Sequence, residues 1–442
     1  MSKANDIAWS DFFAKSDVLS QIECQGFAYV KADDIKEFRE PRLMAKIDTL
    51  AMRPEPFVQH SLSILPVQNG LYLLFKDPEN KLFYSFPKIQ DDLKVEEHRS
   101  QIDLQTFDCF PKSKIFSESQ AIDYAKLASL INRYIGSDDA TLCVRGRLYS
   151  GDFNFLLPDQ AEPIQVSNVQ IEVDAGFETP DSIVLIEAKI GRRDDFNIRQ
   201  LFYPYLQWSK RSRKKIRTVF LTYSNGEYLF TEFEMGRDLG EIELISNRAF
   251  VIDDLPVCNI DLNELLSKIA VEKEPDSIPF PQADDLNKIV DLVQLNDYEI
   301  KTPHSISEFF EFTERQSYYY AGAAVYLGFI ERAAQLLELT QYGKSFAQIV
   351  SRSQRTKVLL EQMLKRPTLR KSLELLMARG FDLKLVDNRE IADIIQTETN
   401  LTGTTPIRRA ATVKKWLKWM TLNCSFKQII CVSGVNGELQ RE

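Results

Sequence analysis

The chain reads as a multidomain α/β protein: a central mixed β-sheet flanked by helices, preceded by a small α+β domain and followed by a mostly helical one. Three observations lead there. At 442 residues the chain is too long for one ordinary core. Residues 169–189, VQIEVDAGFETPDSIVLIEAK, alternate like two strands about a turn, with a helical pattern before them and helix-then-strand patterns after. Past a stretch of prolines and acids at 272–284 the apolar spacing turns helical. Residues 1–115 are thus expected to form an N-terminal α+β domain, 116–255 the sheet domain, 256–284 a linker and 285–442 the helical domain.

Taken in order, Phe12, Phe13, Val18, Leu19 and Ile22 have helical spacing over 11–22. Residues 62–65 and 71–75 flank Asn69-Gly70, a pair that favours a primed hairpin turn. A second strand pair is expected about Asp77-Pro78-Glu79-Asn80. Residues 117–134 predict one helix, with Ser117 and Gln120 as a capping box and a stripe of Ile122, Ala125, Leu130 and Ile131. Residues 140–157 read as one or two strands. After the central stretch, Ile198, Leu201, Tyr205 and Trp208 share a helical face, in a helix that Pro204 is expected to kink or end early. Residues 218–223 and 228–233, joined across Asn225-Gly226, complete the sheet, and the domain closes near Asp253. Pro275, Pro279 and Pro281 among acids predict an extended, solvated linker. Helices follow at 286–295, 306–312 and 314–327, then a short β-wing over 337–346.

The central stretch carries the chemistry. Thr179-Pro180-Asp181-Ser182 suits a type I turn, and in that register residues whose numbers sum to 361 face each other. Asp174 then opposes Glu187 and Glu172 opposes Lys189, all on one face. Val173, Ala175, Phe177, Val184, Ile186 and Ala188 make the other face apolar. Acids and a lysine grouped over a dry face hold something charged between them. Oxygen ligands suit a hard divalent cation, and magnesium typically takes one or two carboxylates plus water and substrate phosphate. An ammonium beside it can place the attacking water and offset charge on a phosphoryl transition state.

Asp174, followed thirteen residues later by Glu187-Ala188-Lys189, resembles the PD-(D/E)XK nuclease superfamily, type II restriction endonucleases included. The resemblance implies a restriction-endonuclease-like sheet, a Mg2+ cofactor and cleavage of double-stranded DNA by a homodimer, since one such site cuts one strand. It implies that Asp174, Glu187 and the carbonyl of Ala188 hold the metal and that Lys189 positions the water. Glu172 would be a third acid. Gln200, on the next helix, would lie near the scissile phosphate, with Arg199 as a second DNA-contacting candidate. The literal Pro180-Asp181 is a rival for the first acid, but it lies only six residues before Glu187, at the tip of the turn.

A net charge of −9 argues against a nucleic-acid partner until its distribution is read. Residues 189–217 carry +8, residues 352–371 carry +6, and residues 404–420 hold five bases and no acid. Local basic surface is what holds phosphates. Six scattered cysteines with no CxxC pair predict reduced thiols in the cytoplasm rather than a disulfide or zinc framework. Asp6, Asp11 and Lys15 interrupt any leader-like apolar run, and no stretch approaches the ~20 apolar residues of a membrane helix. No Walker loop or GxGxxG fingerprint is present, so nucleotide hydrolysis is not supported.

Helices followed by a wing resemble a winged helix-turn-helix. In that likeness residues 313–327 form the recognition helix, with Arg315, Gln316 and Tyr318 toward the bases. Arg408, Arg409, Lys414 and Lys415 form a second candidate DNA-contacting face. The expected protein is a Mg2+-dependent, sequence-specific DNA endonuclease. A structure-selective repair nuclease and a non-catalytic DNA-binding regulator stay open as alternatives.

Overall fold

A computed structural model describes residues 3–87, 93–108, 115, 117–158, 160–252, 260–296, 300–333 and 336–424. The chain divides into two compact units, Met1–Leu255 with Ser277–Arg355, and Pro256–Asp276 with Thr356–Glu442. The division expected at 256–284 is therefore misplaced, because the first helices beyond it pack with the sheet.

The first unit is built on a mixed seven-stranded sheet. Its strands are β1 (Val95–His98), β2 (Thr141–Tyr149), β3 (Gln170–Glu178), β4 (Ser182–Ile190), β5 (Lys215–Ser224), β6 (Glu227–Met235) and β7 (Ile242–Ile252). Their spatial order is β1-β7-β6-β5-β4-β3-β2. β4 runs parallel to β5, and β7 to β1, while the other neighbours are antiparallel.

Helices α1 (Glu118–Leu127) and α2 (Leu130–Ile135) cover one face, where Ile122, Leu130 and Ile131 pack on Phe177, Val184, Ile186 and Val219. The single helix predicted over 117–134 is split in two because Ser129 takes a left-handed φ of 62°. Helix α3 (Arg199–Arg211) makes the crossover that parallel β4 and β5 require, and its Leu201 and Phe202 share a core with Phe220 and Phe233. It runs on past Pro204 instead of ending there, its flanking Phe202, Tyr203 and Leu206 all buried.

The hairpin register is the predicted one: Glu178 pairs with Ile183, Phe177 with Val184, Gly176 with Leu185 and Ala175 with Ile186. Thr179 closes the turn, its N–H donating to the Ser182 carbonyl at 2.9 Å. The paired residues end at Ala175 and Ile186, and there β3 bulges. On its other side Gly176 pairs with Val144 but Val173 with Gly146, so three steps of β3 oppose two of β2. The bulge reverses the alternation. Val173, expected beside Ala175 and Phe177, packs instead with Val144, Ile183 and Leu185 on the opposite face. Gly176 is required there, since a Cβ on it would stand 2.7 Å from that of Val144.

Around this sheet, the helix expected over 11–22 is two, Lys3–Lys15 and Val18–Gln25. The Asn69-Gly70 hairpin forms between Leu62–Gln68 and Leu71–Lys76, and Phe27–Lys31 adds a third strand. The strand pair expected about 77–80 does not form. Asp77 accepts hydrogen bonds from the N–H groups of Lys81 and Leu82 and turns the chain, so Phe83–Ser85 pairs with Asp195–Asn197.

Past the sheet come α4 (Leu286–Leu295), α5 (Pro303–Phe310) and α6 (Glu314–Tyr326), then a hairpin of Ile330–Ala333 with Leu336–Leu339. The hairpin lies earlier than the predicted wing, because Thr340 caps the N–H of Gly343 at 2.9 Å and starts the helix Gln341–Ala347. The second unit holds the helices Leu262–Lys268, Pro367–Ala378, Asn388–Glu398 and Thr405–Asn423 around buried Leu373, Ile391, Trp416 and Leu417. The predicted linker is solvated only in part, with Glu272, Lys273, Asp276, Ser277, Pro279 and Asp284 exposed. Glu274 is buried and accepts from the Thr368 N–H at 3.0 Å, and Phe280 packs on Tyr326 at 5.6 Å.

Candidate active site

Alternation along β4 puts Ile186, Ala188 and Ile190 in the α1–α2 core and leaves Glu187 and Lys189 facing α3. Where β3 bulges, Asp174 takes over from the ladder: its Oδ2 accepts the Ala188 N–H at 2.7 Å. In an extended strand a residue's N–H and C=O point to the same neighbour, so the Ala188 carbonyl also faces β3. Glu187 Oε1 accepts from Lys189 Nζ at 2.6 Å and from Gln200 Nε2 at 2.7 Å. Gln200 reaches it from the second position of α3. Its own Oε1 is buried with no hydrogen-bond partner among the described residues.

Little of this is open to water, the Glu187 side chain being 8% exposed and that of Lys189 12%. Burial pushes the Glu187 carboxyl up to about 8, against the pull of Lys189. Burial also raises Asp174, with Lys189 and the Ala188 N–H acting the other way. For Lys189 burial opposes the charge, but Glu187, Glu311, Asp174 and Asp48 together hold it above the usual lysine range. It stays an ammonium.

Glu172 is not part of this group. It lies on the other side of the bulge from Glu187, on the α1–α2 face, with its carboxylate 3.7 Å from Arg147 and both side chains more than half exposed. Its charge still acts to raise Asp174, and further acids bear on the site from elsewhere. Glu118, in the first turn of α1, adds negative charge near Asp174. Asp48 is 5% exposed on a loop tied down by Asn197, which bonds the carbonyls of Ile47 and Asp48 at 2.8 Å each. Glu311 caps the end of α5 and meets Arg193 at 3.2 Å. Nothing in the local sequence marks Asp48 or Glu311; only the tertiary fold brings them in.

An all-oxygen set of Asp174, Glu187 and the Ala188 carbonyl fits a hard divalent cation. Among the described residues Asp174 Oδ1 and Glu187 Oε2 accept no hydrogen bond, so each acid keeps an oxygen for a ligand. Also among the described residues, no group of three or more His, Cys, Asp or Glu side chains is arranged to hold a metal. A cation here would rest on two carboxylates and a carbonyl.

The remaining candidates are dispersed. Arg199 is half-buried and its guanidinium has no ion pair among the described residues. Gln316 is committed to a capping box, its Oε1 accepting the Thr313 N–H at 3.1 Å, so it is not free to read a base as expected. Arg315 lies over the Tyr319 ring, and Tyr318 is exposed. In the second unit Arg408 and Lys415 are exposed, Arg409 is half-buried, and Lys414 donates to the Val386 carbonyl at 2.6 Å. Much of the basic run after Lys189 is neutralised: Arg192 pairs with Glu227, Arg193 with Glu311, Lys214 with Glu178 and Arg217 with Glu232. Among the described residues no helix is long and apolar enough to cross a membrane.

No curated protein and no solved structure matches the chain. Three domains of unknown function do: DUF6996 over residues 6–74, DUF6997 over 78–251 and DUF7226 over 288–425. Asp48 lies in the first of these stretches, Asp174, Glu187, Lys189 and Gln200 in the second, and Glu311 in the third.

Proposed function

We propose that this protein is a divalent-cation-dependent nuclease that hydrolyses phosphodiester bonds in DNA, with Asp174, Glu187, Lys189 and Gln200 as its active site. One observation carries the reading: the strands part where Asp174 replaces the ladder bond at Ala188, leaving two acids, a lysine and an amide oxygen unpartnered among the described residues in one largely buried cluster. The order of elements agrees with it. A helical pair, an antiparallel strand pair bearing the acids, a crossover helix and a parallel strand form the arrangement that the PD-(D/E)XK resemblance implies.

Asp174, Glu187 and the Ala188 carbonyl would hold Mg2+, which supplies Lewis-acid stabilisation of the phosphoryl oxygens. Lys189 holds its proton and offers positive charge to the phosphate. Gln200 fixes Glu187 through Nε2 and leaves Oε1 to accept a hydrogen bond from the attacking water. Water oxygen bonds to phosphorus, releasing a proton to solvent, as the ester bond to the leaving sugar oxygen breaks, and that oxygen takes a proton from solvent.

Helix α6 begins three residues after Glu311, so Arg315 and Tyr318 enter the chain close to the site and remain its candidate DNA contacts, on a winged-helix likeness of α4 to α6 and their hairpin. A dimer is expected for double-strand cleavage. A structure-selective nuclease is the second reading, favoured by the burial of Glu187 and Lys189: a flexible strand reaches buried groups more readily than a stacked duplex.

Plasmid, genomic and forked DNA incubated with the protein and Mg2+ test both. Discrete genomic fragments support a sequence-specific enzyme, and preference for forks supports the second reading. Intact DNA of every kind overturns the proposal.

A further inference from the structure

The Asp174 side chain bonds to β4, and its backbone is held from the opposite side, by β2. Where those two strands fall out of step, Arg145 stands opposite both Asp174 and Ala175, between the pairs Val144–Gly176 and Gly146–Val173. Gly146 takes a left-handed φ of 89° there, so the backbone of β2 is irregular as well. The Asp174 carbonyl lies outside the ladder pairing and needs another donor. Arg145 supplies it, its Nε donating to that oxygen at 3.1 Å. The same guanidinium donates through Nη2 to Asp123 Oδ1 at 2.6 Å. Asp123 belongs to α1, and its neighbour Ile122 is buried in the core between that helix and the sheet.

One arginine thus ties the bulge to a packed helix. The peptide group from Asp174 to Ala175 is planar and includes the Asp174 Cα, so a fixed oxygen sets the plane from which the Asp174 side chain departs. At the other end of the residue, Oδ2 accepts the Ala188 N–H at 2.7 Å. Asp174 is gripped at carbonyl and carboxylate alike. Arg147, two residues along β2, has no such role: it meets only Glu172, at 3.7 Å, with both side chains more than half exposed.

We propose that Arg145 is a positioning residue, which through the Asp174 carbonyl aims the Asp174 carboxylate at Ala188 and the Glu187 side of the site, with Asp123 as its anchor. This rests on the nuclease reading above. It makes α1 and the edge strand β2 working parts of the active site.

Hydrogen exchange on the metal-free protein reads the placement without cleavage. The Arg145 side chain is 32% exposed, so Arg145→Met should fold. Exchange of the Ala188 N–H should quicken by about tenfold or more in that variant, while the ladder amides of β5 and β6 keep their wild-type rates. Asp123→Ala, which leaves Arg145 in place but frees its guanidinium, should act in the same direction by a smaller factor. An unchanged Ala188 in both variants, or a rise matched across β5 and β6, overturns the proposal.

Arg147→Met removes the same charge from the same strand and serves as the control. Single-turnover cleavage should fall by about tenfold or more in Arg145→Met relative to Arg147→Met, at equal DNA affinity. Equal losses in the two variants overturn the proposal. Lys189→Met that still cleaves defeats the nuclease reading instead, and the exchange rates then decide alone whether Arg145 places Asp174.

Discussion

Lys189 keeps its charge in a place that would strip it from a lone lysine, because carboxylates surround it. Asp174 is the acid whose assignment matters most, since Asp181 forms the literal Pro-Asp pair. Asp174 bonds the Ala188 N–H at the strand opening, whereas Asp181 is exposed at the turn. Asp174→Asn should abolish cleavage and weaken Mg2+ binding in a calorimetric titration, with Asp181→Asn near wild type; the reverse pattern would mean the turn carboxylate is the ligand. Period-two alternation was enough to put Glu187 and Lys189 on one face of β4 from sequence, whereas Gln200, on the next helix, came only from the resemblance. The alternation failed for Glu172, because an inserted residue in β3 reverses which side chains face which way and leaves no mark in the pattern.

At the scale of elements, strand and turn chemistry was the most readable part. The register of β3 and β4 follows from one four-residue turn, and β5 and β6 pair across Asn225-Gly226 as expected. The fate of α4 was not readable, because its polar face looks solvated until the sheet is in place. There Asp291 is buried and accepts from the Ser224 hydroxyl at the end of β5 and from the Asn225 N–H at 2.7 Å. Burial pushes its carboxyl up to about 7, against those two hydrogen bonds. A carboxyl raised on folding binds more protons folded than unfolded, so its contribution falls as pH rises from its unfolded value toward 7 and is level above. Measured as Tm from pH 5.5 to 8.5, wild type should lose ground to Asp291→Asn as pH rises to about 7 and then run parallel. A constant gap across that range would show that Asp291 is already ionised at the lower end.

Across the whole molecule, charge in sequence and charge on the surface differ. The +8 run at 189–217 loses Lys189, Arg192, Arg193, Lys214 and Arg217 to ion pairs, leaving Arg199, Lys210, Arg211, Arg213 and Lys215 outside any ion pair among the described residues. If this region grips DNA, the log–log salt dependence of binding should have a slope of about −3 to −5. A slope near −9 would require the paired arginines to release their carboxylates for phosphate. The same long-range pairing makes the site a product of the whole first unit, joining Asp48, the β3–β4 hairpin and Glu311.

The central claim is that Lys189 works on a phosphodiester beside Asp174 and Glu187. Its most direct test is the single-turnover cleavage rate of wild type and Lys189→Ala on one DNA substrate at saturating protein and Mg2+, with DNA binding and thermal unfolding measured on the same preparations. The account predicts a loss of about 100-fold or more with binding retained. A folded Lys189→Ala protein that cleaves at the wild-type rate contradicts it.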